Sequence, residues 1–293
     1  MSPAVHVRRV PDLETESLAS ATDALVDALD TDLAGDSDAV ERVLVVPDVH
    51  HPYHPSTGVV TNPAVLDVLL GRLFDAGHSV RVGVTDADAA RYLGVDAVAR
   101  DRDVDVVALA DAECVTREAV QVPEPLVEDA VVALPTLRRD EAGAGEHPAG
   151  VGALCTSAVA AGGPALPAST AKSLVSPAVS FLDATYTPGT TPRESRGLLA
   201  SADAGALDAV AADLLGVSSP ESASTASSVD PAVHGAALAS LRRDVADGVP
   251  EAAEPNDLLA AGYRLYARIV GDAVPPQFQR SAADSDGNGG DDA

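Results

Sequence analysis

The sequence predicts an α/β fold with a mostly parallel sheet and helices on both faces. Three observations predict it. Short, continuous apolar runs recur along the 293 residues, and such runs suit strands covered on both sides. Segments with apolar residues at helical spacing alternate with those runs. The chain is 46% hydrophobic but only 3% aromatic, so Ala, Val and Leu must fill a sizeable core.

The elements follow in order. Residues 1–16 mix Arg8 and Arg9 with acids and read as an N-terminal arm without a signal-peptide core. Residues 17–30 place Leu18, Ala21, Leu25 and Leu29 on one helical face. The run RVLVVP at 42–47 is a strand, followed by a long loop over 48–61. Asn62 can cap a helix that opens with Pro63 and closes at Gly77, with Val65, Leu66, Leu69, Leu70 and Leu73 as its apolar stripe. A strand over 79–85 completes a right-handed βαβ crossover. Further strands are expected over 104–110, 130–135, 178–183 and 197–202. Helices are expected near 86–93, 150–161, 204–215, 231–246 and 256–270. Residues 217–229 contain SSPESASTASS and read as a surface loop. Residues 276–293 read as a disordered acidic tail, which leaves 17–275 as one α/β domain.

Charge narrows the setting. The formal charge is −26, from 45 acidic and 19 basic side chains. Lys172 is the one lysine, and 32 Asp stand against 13 Glu. At molar salt the Debye length falls to about 3 Å, so repulsion among carboxylates fades while they keep the surface hydrated. The composition predicts a protein adapted to molar salt. Without a basic patch to release counterions, nucleic acid is not expected as a partner. No apolar run approaches the roughly 20 residues that span a bilayer, so a cytoplasmic, non-membrane protein is expected. Cys114 and Cys155 stand apart with no CxxC spacing, so both are expected as buried thiols, with no iron–sulfur cluster.

Ligands in open α/β sheets bind where strands end at their carboxyl side. After the first predicted strand, Asp48, His50, His51 and His54 place three of the chain's seven histidines and a carboxylate in one loop. Imidazoles with a carboxylate suit zinc or ferrous iron, and Pro47, Pro52 and Pro55 stiffen the segment. The alternative is a solvated loop whose histidines cap turns. Two further loops carry arginine pairs, Arg138 with Arg139 and Arg193 with Arg196. Such pairs can clamp a carboxylate or phosphate, or can pair with the chain's own aspartates. Asp203 is expected to cap the helix over 204–215. No GxSxG, GxGxxG or HExxH motif is present.

The order of segments over about residues 42–245 resembles the family called domain of unknown function 362. Val46-Pro47-Asp48 is similar to the family's Lys-Pro-Asn-like turn, and Thr61-Asn62-Pro63 to its Thr-x-Pro helix start. Pro135 to Asp140 is similar to its Pro-x-Leu-Lys-Thr-His element, and Phe181-Leu182-Asp183 to its strand ending in Asp. The run from Ala200 to Ala212 is similar to its Ala-Ser-x-Asp-x-x-Ala-x-Asp-Ala-Val-Ala-Ala element. The family's first lysine is Val46 here, and its Lys-Thr-His is Arg138-Arg139-Asp140. The ferredoxin-like cysteine segments of some members are absent. The resemblance implies a divergent member that has lost or rebuilt any function of those lysines. It adds Thr61, Asn62 and Asp183 to the candidate site. The expected function is then a strand-end site that handles a small anionic molecule with a divalent metal. The histidines hold the metal, Arg138 the anion, and Asp183 orients or accepts a proton. The rival is a non-catalytic binding or regulatory relative.

Overall fold

The computed structural model describes residues 2–33, 42–50, 52–137, 139–140, 147–148, 150–163, 166–187, 193–216, 231–235 and 237–246. In chain order the elements are β1 (Ala4–Arg9), α1 (Thr15–Leu33), β2 (Arg42–Pro47), a 3-10 turn (Pro55–Thr57), α2 (Pro63–Asp75) and β3 (Ser79–Val84). Next come α3 (Ala87–Tyr92), α4 (Val95–Asp101), β4 (Asp105–Ala108), the hairpin of β5 (Cys114–Arg117) and β6 (Val120–Pro123), α5 (Pro125–Glu128) and β7 (Ala130–Leu134). A two-residue pair, β8 (Arg139–Asp140) and β9 (His147–Pro148), precedes α6 (Val151–Ala160) and α7 (Ala168–Val175). The remainder is β10 (Val179–Thr187), β11 (Arg193–Ser201), α8 (Ala204–Leu215), β12 (Ala232–His234) and α9 (Leu238–Ala246).

Among the described residues the main sheet has eight strands in the order β12-β1-β11-β10-β7-β2-β3-β4. The five from β10 to β4 are parallel, β11 runs antiparallel to both β10 and β1, and β12 is parallel to β1. The fold is α/β and mostly parallel, as the apolar runs predict. Successive strand residues face opposite layers, so Val45, Val132 and Phe181 pack with Leu18, Leu66 and Leu69 of α1 and α2. Their neighbours Leu44, Val131 and Leu182 pack with Leu154, Leu174, Leu207 and Leu241 of α6 to α9. Each fully buried leucine contributes roughly 1.5–3 kcal/mol, which is how a core nearly free of aromatics holds both layers. Among the described residues no helix is long and apolar enough to cross a membrane.

Four expectations change. Residues 4–9, expected as part of an arm, form β1 and sit inside the sheet between β11 and β12. The helix expected over 231–246 is a strand, β12, then α9, because Gly235 takes φ +120° between them and breaks any helix. β10 and β11 extend past the expected 178–183 and 197–202, pairing as far as Thr187 with Arg193. Cys155 is buried as expected, but Cys114 is exposed, because its short hairpin lies outside the main sheet. The segments expected at 217–229, 256–270 and 276–293 lie outside the described residues.

Candidate functional site

The strand order places a reversal between β2 and β7. From β2 the chain builds outward to β3 and β4, then returns to lay β7 on the other side of β2. Loops leaving the carboxyl ends of such neighbours diverge and leave a crevice. Three adjacent parallel strands, β2, β7 and β10, bring their carboxyl ends together here.

Asp48 directly follows β2 and is 3% exposed. Its amide donates to Thr61 Oγ1 at 2.8 Å and Thr61 Oγ1 donates to the Leu134 carbonyl at 2.8 Å. The Thr61 amide returns a bond to the Asp48 carbonyl at 2.9 Å. The loop over 48–61 is thereby closed at its base and tied to the end of β7. The Asp48 carboxylate accepts from Thr136 Oγ1 at 3.1 Å on one oxygen and meets His50 Nδ1 at 2.5 Å on the other. An ionised carboxylate only accepts, so Nδ1 is the donor in this bond and ligand chemistry falls to Nε2. The His50 side chain is 21% exposed against 5% for Asp48. A buried carboxylate thus holds an imidazole at the mouth of the reversal.

Asp183 projects from β10 at the level where Thr136 bridges that strand. One carboxylate oxygen accepts from the Asn62 amide at 2.7 Å. The other accepts from the Thr185 amide at 2.9 Å and Thr185 Oγ1 at 2.7 Å. Asn62 in turn caps α2 by accepting from the Ala64 amide at 3.0 Å. Burial pushes the Asp183 carboxyl above its usual range; the Asn62 and Thr185 donors oppose that, and the Asp48 charge adds to it. With both oxygens occupied, Asp183 braces the start of α2 against β10.

The structure therefore brings together Asp48, His50, Thr61, Asn62 and Asp183. His54 stands in the same loop but is committed to the 3-10 turn: its Nδ1 accepts from the Ser56 amide at 3.2 Å and lies 2.8 Å from Ser56 Oγ. His51 and Arg138 lie outside the described residues. Among the described residues no three His, Cys, Asp or Glu side chains gather in a metal-holding group. Arg139 lies on β8 opposite Pro148. Arg193 opens β11 opposite Thr187, several residues beyond Asp183. Arg196 pairs with Glu194 and donates to the Pro11 carbonyl at 2.6 Å, so its guanidinium serves the chain's own acid and backbone rather than forming a clamp with Arg193. Thr136 and Thr185 escape a reading of the sequence, because a single threonine beside or within a strand carries no signal of its own.

A second polar centre lies under the opposite face. Lys172 Nζ stands 2.9 Å from Asp208 Oδ2, with 12% and 9% of the two side chains exposed. Asp208 also accepts from the Val151 amide at 2.7 Å and the Gly152 amide at 3.1 Å, at the opening of α6. Burial raises the Asp208 carboxyl despite Lys172 and those amides. Burial also pushes the nearby Cys155 thiol up to about 12, which keeps it protonated and inert. No spacing in the sequence points to this pair, since Lys172 and Asp208 lie on different helices 36 residues apart. Asp203 caps α8 as expected, accepting from the Ala206 amide at 2.8 Å.

No family model, curated protein or solved structure matches the chain.

Proposed function

We propose that the crevice at the ends of β2, β7 and β10 binds a small anionic molecule, and that His50 moves a proton to or from it. The observation that carries this is the Asp48–His50 pair at the strand reversal. A buried carboxylate on Nδ1 fixes ring orientation and tautomer, so that Nε2 is the nitrogen presented for proton transfer. Asp183 is a positioning residue in this reading, holding Asn62 and thereby the loop that carries His50. Arg138 is the proposed holder of the anion. It follows Leu137, whose amide donates to the Asp183 carbonyl at 2.9 Å.

A second reading shares the same bond. A carboxylate on Nδ1 also orients imidazoles that bind a metal through Nε2, and His51 and His54 would complete a set for zinc or ferrous iron. One set of measurements separates the readings. Protein purified in molar potassium chloride is analysed for metals, then titrated calorimetrically with inorganic phosphate, as wild type, His50→Ala and Arg138→Ala. The acid–base reading expects no stoichiometric metal and phosphate binding weakened about tenfold by either substitution, near 1.4 kcal/mol. Zinc or iron near one per chain, lost in His50→Ala, would put the metal reading first. Phosphate affinity equal in all three proteins, with no metal, would leave the rival of a relative without a working site.

A further inference from the structure

Histidine is scarce in this chain, with seven in 293 residues, yet two of them meet far from the crevice. His6 lies on β1 and His234 on β12, the last described strand of the sheet on that side. The two strands are parallel and pair Ala4 with Ala232, Val5 with Val233 and His6 with His234. The imidazoles stack with centroids 5.1 Å apart and planes 19° from parallel. His6 is partly buried and His234 is exposed, so solutes in bulk solvent reach the pair from its outer side.

We infer that His6 and His234 form a two-imidazole site for a divalent transition metal ion such as copper, nickel or zinc. Imidazole suits these ions, with copper held most tightly. Two metal–nitrogen bonds of about 2.0–2.1 Å at a tetrahedral angle span roughly 3.3 Å between nitrogens. Rings stacked with centroids 5.1 Å apart reach that span by turning out of the stack about their side-chain bonds, so that one edge of each converges on the ion. Water fills the remaining positions. The partner strands cannot slide to escape the geometry. Gly235 follows His234 with φ +120°, and its Cα approaches the Val7 carbonyl so closely that a Cβ there would sit 2.3 Å from the oxygen. That contact and the ladder fix the register of the two histidines.

The consequence is a clasp between the two ends of the described fold. β12 contributes only three residues, and no described strand pairs with its far edge, an arrangement that sheets normally protect. An ion shared by His6 and His234 ties this short strand to β1 across most of the described residues, and a cross-link that closes a long loop restricts the unfolded state most. This site is independent of the crevice at β2, β7 and β10, and neither requires the other.

The test uses the full chain in molar potassium chloride and nickel or zinc chloride as the probe. Wild type, His234→Gln, His6→Gln and the triple variant His50→Ala/His51→Ala/His54→Ala are titrated calorimetrically and melted with and without metal. One ion is expected to bind wild type and the triple variant with a dissociation constant on the order of 10 µM. His234→Gln, which alters an exposed side chain, is expected to bind at least about tenfold more weakly and to lose the metal-induced rise in melting temperature. His6→Gln should do the same. Binding that survives both glutamine variants, that disappears only in the triple variant, or that is absent from wild type at 100-fold higher metal, on the order of 1 mM, overturns the inference.

Discussion

Substituting the one lysine tests how much of this fold rests on a single buried charge pair. Lys172→Met keeps the aliphatic stem that crosses from α7 towards α8 and removes only the ammonium. Asp208 is then left in a site where its side chain is 9% exposed. Breaking a buried pair by removing one partner costs about 3–5 kcal/mol, because the other charge stays uncompensated. The Val151 and Gly152 amides still hold the carboxylate, which favours the lower end, about 3 kcal/mol at pH 7. For a chain of this size that lowers the melting temperature by roughly 6 °C. The pH response has a definite sign. Burial already raises the Asp208 carboxyl in the folded state, and losing Lys172 raises it further. A carboxyl raised on folding binds its proton more tightly in the folded chain, so stability grows as pH falls through that raised value. The deficit of the variant should therefore shrink between pH 7 and pH 5. The assay is urea unfolding in molar potassium chloride at both pH values, with Lys172→Met/Asp208→Asn recovering part of the loss at pH 7. A cost under about 1 kcal/mol, or a deficit that grows on acidification, would refute this account of the pair.

Other outcomes follow from the same structure. Thr61→Val removes the hydroxyl between the Asp48 amide and the Leu134 carbonyl, and should cost about 1–2 kcal/mol in urea unfolding; a neutral result would mean the base of the loop is not closed there. Asp183→Asn should change the pH dependence of stability. The raised Asp183 carboxyl contributes stability below its unfolded value that is lost as pH rises through its folded value, so wild type should gain on the variant as pH falls from 7 to 5. Gly235→Ala should undock β12 by about 2 kcal/mol or more, seen as faster amide exchange at Val5 and Val7; unchanged exchange there would contradict the close approach of Gly235 to Val7. Finally, a chain of net charge −26 should melt at least several degrees lower in 0.1 M than in molar potassium chloride, where screening shortens from about 10 Å to about 3 Å. An equal or higher melting temperature at low salt would remove the adaptation to salt inferred from composition.

The parallel core was legible because its strands are buried on both faces and therefore read as unbroken apolar runs. RVLVVP and AVVAL need no partner to announce themselves, and Asn62-Pro63 marks the start of α2 by local chemistry that the structure realises. The elements that were missed depend on distant partners. β1 alternates apolar and polar residues beside two arginines, and only its pairing with β11 and β12 makes AVHVRR a strand. The three residues of β12 carry even less local signal, and the alanines that follow suggested a helix. The β5–β6 hairpin turns through Glu118 and Ala119, both at positive φ, without the Gly or Asn that usually marks such a turn. The site divides in the same way. Asp48 stood out because it follows a strand and shares a loop with three histidines, whereas Thr61, Asn62 and Asp183 entered the candidate site through the family resemblance alone. The tie from Thr136 to Asp48 and the pairing of Lys172 with Asp208 span 88 and 36 residues, and no spacing within one segment reveals either.

The tautomer of His50 tests the central claim most directly. Long-range nitrogen–proton NMR of the imidazoles, in molar potassium chloride near pH 7, assigns the proton on each ring. The account predicts Nδ1–H on His50, with an Nε2 resonance that shifts on adding inorganic phosphate or zinc while His78 stays still, and loss of that tautomer in Asp48→Asn. A His50 ring protonated on Nε2, or unmoved by either probe, would contradict a working site at the strand reversal.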